Sequence, residues 1–191
     1  MSKWLPVLLL ACASVSAQAA PSSDSASSDE LGNFLTQRGF VNHMQNAGHK
    51  VADKTGQLLT TAMSLIGVPY RRGGTSEETG FDCSGFVRAI YQKTAGLTLP
   101  RRSDEQAAAT AHIAKQDLKP GDLVFFNTMR RAFSHVGIYV GEGKFIHAPR
   151  TGAKVRIENM DTAYWATRFN GARRVDTDKP DVMQALAAPQ S

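Results

Sequence analysis

The chain has 191 residues, 42% of them hydrophobic, and 22 Lys+Arg against 17 Asp+Glu give it a formal charge of +5. Two cysteines in all exclude a disulfide scaffold and a cysteine-rich metal module. Past the N-terminus no apolar run approaches the ~20 residues that a bilayer span needs, so no integral membrane segment is expected once that terminus is removed.

Residues 1–19 read as a secretory signal. Lys3 supplies a basic start, Trp4 to Ala13 form an apolar run, and Ala17-Gln18-Ala19 is a small-x-small cleavage pattern. Cleavage after Ala19 is favoured over Ala20, which would put Pro21 directly behind the cut. A second pattern, Leu9-Leu10-Ala11-Cys12, resembles a lipoprotein box with lipid on Cys12, but it leaves a short signal of 11 residues. Residues 20–50 read as a flexible polar linker, Ser/Ala/Asp-rich at first and then without a firm apolar period. A single globular domain is expected over residues 51–175, followed by a polar tail over 176–191. Loss of Lys3 leaves a charge of about +4, which suits anionic surfaces such as cell-wall polymers. Nucleic acid is a poor partner for an exported chain. The doublets Arg71-Arg72, Arg101-Arg102, Arg130-Arg131 and Arg173-Arg174 read first as solvated loop charge, with clamps for substrate carboxylates as the alternative.

Within the domain, Leu58, Leu59, Ala62, Met63, Leu65 and Ile66 keep helical spacing, and Gly67 and Pro69 stop the helix. Tyr70 to Gly80 is a polar, glycine-rich loop. A second helix starts at Cys83 with Asp82 as N-cap and Phe86, Val87, Ile90 and Tyr91 on one face. Ser103 with Gln106 reads as the capping box of a third, Ala-rich helix, and Lys119 to Asp122 as a turn. Strands follow at 123–126, 136–140, 145–148, 155–157 and 169–175. Helices followed by a run of strands predict an α+β fold with a central antiparallel sheet.

Export and loss of Cys12 leave Cys83 without a disulfide partner, which makes a reactive thiol a serious reading. His135 and His147 are twelve residues apart in a predicted hairpin. If Gly141-Glu142-Gly143 forms a three-residue loop, Val140 pairs with Lys144, Gly137 faces His147, and the two histidines share a face. A two-residue turn without a bulge would send them to opposite faces. His43, His49 and His112 lack such a context and read as structural.

A thiol at a helix N-terminus beside an imidazolium commonly titrates at ~3.5–7.5, and as thiolate it attacks carbonyl carbon. His135 would exchange the proton, His147 would orient His135, and the Cys83 N–H could face an oxyanion. Zinc held by one Cys and two His is the competing reading of the same trio.

These segments, in order, resemble the NlpC-type cell-wall cysteine peptidases: Gly67-Val68-Pro69-Tyr70 with Gly73-Gly74, Phe81-Asp82-Cys83-Ser84-Gly85-Phe86-Val87, Leu99-Pro100-Arg101, Leu118 to Phe126, Ser134-His135-Val136-Gly137-Ile138-Tyr139, and Phe145-Ile146-His147-Ala148. The resemblance covers about Lys54 to Val175. It implies a reduced papain-like fold, a catalytic trio at Cys83, His135 and His147, substrate contacts at Tyr70, Asp82 and Ser84, and no cofactor. It also implies, as substrate, the stem peptides of peptidoglycan, cut at a D-glutamyl–diaminopimelate bond or a D-Ala–diaminopimelate crosslink; the exported chain is expected to be a monomer. An acyltransferase or amidase on the same fold and a non-catalytic wall-binding module remain the alternatives.

Overall fold

A computed structural model of the protein describes residues 54–177. The expected signal (1–19) and linker (20–50) lie outside the described residues, as does the expected tail apart from 176 and 177. His43 and His49 lie outside them too.

Residues 54–64 form helix α1, and together with the turn that follows they place Leu58, Ala62 and Leu65 in the core and leave Met63 and Ile66 exposed. Gly67 follows at a φ of 92°. The glycine-rich loop contains a short ribbon that alternation does not reveal, β1 (Thr75–Ser76) paired with β2 (Gly80–Phe81). Helix α2 (Cys83–Ala95) starts where capping chemistry predicts: Asp82 is extended, and its carboxylate accepts from the Gly85 N–H at 2.8 Å. Gly96, left-handed at φ 68°, closes the helix.

Helix α3 (Ser103–Ala108) is capped differently from the expected box. Arg102 is the N-cap residue, and its N–H donates to Glu105 Oε2 at 3.0 Å. The two residues expected to cap are used in tertiary contacts instead. Ser103 Oγ donates to the Phe133 carbonyl at 2.6 Å, and Gln106 Nε2 donates to the carbonyls of Ser84 and Pro100 at 3.0 and 2.9 Å. A strand absent from the sequence reading, β3 (Ala111–Ile113), follows.

The remaining strands are β4 (Leu123–Phe126), β5 (His135–Gly141), β6 (Lys144–His147), β7 (Arg156–Asn159) and β8 (Phe169–Arg174), with the single-turn helix α4 (Ala163–Ala166) before β8. With β3 they form one six-stranded antiparallel sheet in the order β3-β8-β4-β5-β6-β7. The fold is thus the expected α+β class. All four residues of β4 are buried, because apolar layers cover both faces of the sheet at this strand. On one face Leu123, Phe125, Val136, Ile138 and Ile146 pack with Phe86, Val87, Ile90 and Tyr91 of α2 and with α1. On the other, Val124, Phe126 and Phe145 pack with Met160 and Trp165.

The β5–β6 hairpin corrects the expected loop. Gly141 pairs with Lys144, so the turn holds two residues, Glu142 and Gly143, both at positive φ (52° and 68°), as a type I′ turn needs. A register shift between Tyr139 and Gly141 absorbs one residue as a bulge, and beyond it Ile138 pairs with Ile146 and Tyr139 with Phe145. The bulge restores the face that a three-residue loop would have produced.

Candidate active site

Asp82 organises the start of α2. Its carboxylate also accepts from the Gly73 N–H at 3.0 Å and from both terminal nitrogens of Arg101, Nη1 to Oδ1 at 3.0 Å and Nη2 to Oδ2. Arg101 Nη1 reaches Ser84 Oγ at 3.0 Å as well. This ion pair ties the loop before α2 and the segment after it to the first turn, and the sequence reading had not paired the two residues. Asp82 and Ser84 therefore spend their polar atoms on the helix start and on Arg101.

Cys83 is half-buried and lines a groove of about 590 Å³ together with Tyr70, Ser134, His135, Arg150, Arg156, Glu158, Tyr164 and Trp165. Tyr70 stands beside it because residues 69–70 bridge to neighbouring segments, Pro69 to Lys154 and Tyr70 to Phe81, and the Tyr70 N–H donates to the Ala153 carbonyl at 2.8 Å. Burial, then Cys83 in its ionised form and the Asp82 carboxylate, push the Tyr70 hydroxyl above its ordinary value.

The histidine pair is buried behind the groove. His135 is 4% exposed and His147 not at all. His135 Nε2 lies 2.6 Å from His147 Nδ1, with the rings nearly perpendicular at 87°. His147 Nε2 in turn lies 3.0 Å from Glu158 Oε2. The same oxygen accepts the Trp165 indole N–H at 2.8 Å, while Arg156 Nε donates to Oε1 at 2.9 Å and its Nη2 lies 2.6 Å from that oxygen as an ion pair. The Trp165 ring stacks on His135 with centroids 5.6 Å apart and 24° between planes. The strands explain the alignment. His147 pairs with Arg156, so Glu158, two residues on, shares its face as a diagonal neighbour.

Burial lowers the pKa of His135 well below the ordinary imidazole value and His147 reinforces this, so His135 is neutral at pH 7. Burial also lowers His147, against the opposing pull of Glu158. Glu158 is held down to about 2, first by its hydrogen bond with His147 and further by Arg156. The two directions agree if a neutral His147 donates to an ionised Glu158. Burial, followed by the Asp82 carboxylate, pushes the Cys83 thiol up to about 11, while backbone N–H groups of Val136, Ser84 and Cys83 pull the other way. This overturns the expected low thiol pKa: the core behind the sulfur and the adjacent carboxylate outweigh the helix terminus, and no imidazolium stands by to offset them. The resting pair is a neutral thiol beside a neutral imidazole.

The structure thus brings Cys83, His135 and Tyr70 to one groove, with His147 behind His135, and sets Asp82 and Ser84 in the supporting layer. The sequence reading missed Glu158, Trp165 and Arg156. A period-2 reading carried through 156–158 would have put Glu158 on the His147 face. His112 lies on the exposed edge strand β3. Of the arginine doublets, Arg101, Arg102 and Arg174 are ion-paired to Asp82, Asp104 and Asp122, and Arg173 packs over the Phe133 ring. The groove arginines, Arg150 and Arg156, belong to no doublet. The zinc reading does not fit. The His135–His147 bond occupies nitrogens that a shared ion would need, and no group of three His, Cys, Asp or Glu among the described residues is spaced to hold a metal.

An antiparallel α+β fold with a helix-initiating cysteine beside a strand-borne imidazole pair defines the papain-like class. The NlpC/P60 family model matches residues 67–174, more than half of the chain, and the chain belongs to that family. It is 45% identical over 133 residues to murein DD-endopeptidase MepH of Escherichia coli K12, covering 68% of this chain and 49% of that protein. It is 34% identical over 171 residues to the E. coli K12 protein named murein DD-endopeptidase MepS/murein LD-carboxypeptidase, covering 88% and 87%. Among solved structures, an NlpC/P60 family protein from Bacillus cereus superposes with a TM-score of 0.58 at 38% identity, over 63% of this chain and 39% of that one. The chain thus spans about half the length of MepH and most of the length of MepS.

Proposed function

We propose that this chain is an exported peptidoglycan endopeptidase that cuts stem peptides or their crosslinks through a Cys83 thioester. The observation that carries the reading is the alignment at one groove of Cys83, at a helix N-terminus, with His135, which is hydrogen-bonded to the buried His147 at 2.6 Å. The names of the murein endopeptidase relatives agree with it.

The chemistry follows from neutral partners. As the Cys83 sulfur bonds to the carbonyl carbon, its proton passes to His135, and backbone N–H groups at the start of α2 face the developing oxyanion. His135 returns that proton to the leaving amine as the C–N bond breaks, which leaves a thioester. Water then adds to the thioester with His135 again as base, and the thiol departs reprotonated. Tyr70 borders the groove for substrate, and Asp82 and Ser84 hold the helix start that presents the sulfur. Arg150 suits a substrate rich in carboxylates, while Arg156 at the same groove is paired with Glu158. We further propose signal cleavage after Ala19, action in the cell envelope, and a monomer.

The test is a digest of purified peptidoglycan and of its soluble fragments by wild type and Cys83→Ala, read by mass spectrometry. New peptide ends with wild type alone are expected, and their masses name the bond. No cleavage by folded, reduced wild type would overturn the reading and favour a transferase or a binding module.

A further inference from the structure

We infer that Glu158 is a positioning residue for His135, acting through His147: its carboxylate selects the tautomer of both imidazoles and leaves Nδ1 of His135, the ring nitrogen not bonded to His147, bare. The catalytic consequence rests on the peptidase reading above, while the tautomer assignment stands on the hydrogen-bond geometry and on the burial that keeps both imidazoles neutral.

An ionised carboxylate can only accept hydrogen bonds. Glu158 receives one from Arg156, one from Trp165 and one from His147, so both oxygens face donors, with the Arg156 charge beside them. His147 Nε2 therefore carries a hydrogen. A neutral His147 then has a lone pair on Nδ1, and the nitrogen 2.6 Å away, His135 Nε2, must donate to it. A neutral His135 has one N–H, already used, so its Nδ1 is an acceptor. Without Glu158 the reverse chain is equally available: His147 Nδ1–H donates to His135 Nε2, and the hydrogen on His135 sits on Nδ1. A His135 in that form cannot take the thiol proton. One carboxylate two hydrogen bonds away thus decides whether the base is basic on its working side.

The surroundings are built for this task. Arg156 from the same strand, His147 from β6 and Trp165 from α4 face Glu158 and keep it ionised and oriented, and the indole that donates to it also stacks on His135. His135 itself meets His147 and Trp165 behind the groove, whose lining it shares with Cys83.

The test compares Glu158→Leu, which removes the acceptor, with Glu158→Gln, whose amide oxygen can still serve His147 and Trp165 while the half-exposed Arg156 swings out. Both are made in wild type and in His147→Asn, where an amide replaces the ring and has no tautomer to choose. Long-range ¹H–¹⁵N spectra of the histidines report the tautomers directly. In wild type, both rings should carry hydrogen on Nε2. Glu158→Leu should mix the tautomers and lower kcat by ~10²–10⁴-fold, the upper figure being the cost of a wrong tautomer in a serine triad, with KM within about threefold. Glu158→Gln should keep the wild-type tautomers and recover most of that rate. In the His147→Asn background the Leu substitution should cost no more than about threefold.

Unchanged tautomers in folded Glu158→Leu would overturn the inference. So would a rise in KM with kcat intact, which would make Glu158 a substrate contact, or equal losses in both backgrounds. If wild type cleaves nothing, the peptidase reading fails, and the spectra still decide the role of Glu158.

Discussion

Gly137 packs directly against Phe145, Ile146 and His147 of β6, and Gly137→Ala puts a measurable load on that contact. A Cβ there would lie 2.6 Å from Phe145 Cδ2, 2.9 Å from the Ile146 carbonyl oxygen and 3.1 Å from His147 Cβ. Carbon pairs pack at ~3.5–4.0 Å, so the methyl falls roughly 1 Å short against Phe145. Phe145 is fully buried and the Ile146 oxygen belongs to the backbone, so neither can turn away. Relief requires β6 to move off β5. Overpacking of this kind costs about 1–3 kcal/mol. For a body of this size each kcal/mol is worth roughly 3–5 °C, which puts the expected fall in Tm at ~3–15 °C. Because the domain stays folded at 25 °C, the effect on rate is separable. A displacement of several tenths of an ångström stretches the 2.6 Å His135–His147 bond. Misplacement of catalytic groups by 1 Å can cost ~10²-fold, so a drop in kcat of at least about tenfold is expected. Melting by circular dichroism and peptidoglycan digestion at 25 °C read the two effects. A Tm within about 1 °C of wild type would refute the packing argument. A lowered Tm with intact kcat would refute the dependence of rate on the histidine contact.

The raised Cys83 thiol makes a second prediction. With a pKa of about 11 and a neutral His135, alkylation of the free enzyme by iodoacetamide should be slow at pH 7 and still climb above pH 9; a plateau near neutrality would reveal a preformed thiolate. Stability should fall with acid. The folded pKa values of His135 and His147 lie below the ordinary imidazole value of ~6.5, so their contribution is complete above that pH and is lost as pH falls toward the folded values. The carboxylate of Glu158, held near 2, contributes fully above its unfolded value and is lost only in stronger acid. Tm at pH 5 should lie below Tm at pH 7.5, and a flat profile between them would contradict burial of two neutral imidazoles.

Capping chemistry, periodicity and chain order made much of this protein legible from its residues. The start of α2 at Cys83 was set by local chemistry: a residue that caps and an apolar face with helical spacing. Alternation through His135 to Val140 likewise located the central strands, and helices before strands indicated the fold class. Ser103 and Gln106 were misread because a capping box and a tertiary hydrogen-bond pair use the same residue types, and only the neighbours Phe133, Ser84 and Pro100 distinguish them. The short ribbon β1–β2 and edge strand β3 carry too few residues to show a period, and pairing alone defines them.

At the site, the sequence determined which chemical groups exist and in what order: one unpaired thiol in the domain, two histidines twelve apart, and a helix start beneath the sulfur. The tertiary structure decided what those groups are. A bulge beside a two-residue turn returned the histidines to one face. Burial raised the thiol where the helix terminus was expected to lower it, and lowered His135, since desolvation depends on what packs around a group and not on its neighbours in the chain. Glu158 joined the pair through a strand register that links residues 147 and 158, a relation visible only once β6 and β7 lie side by side.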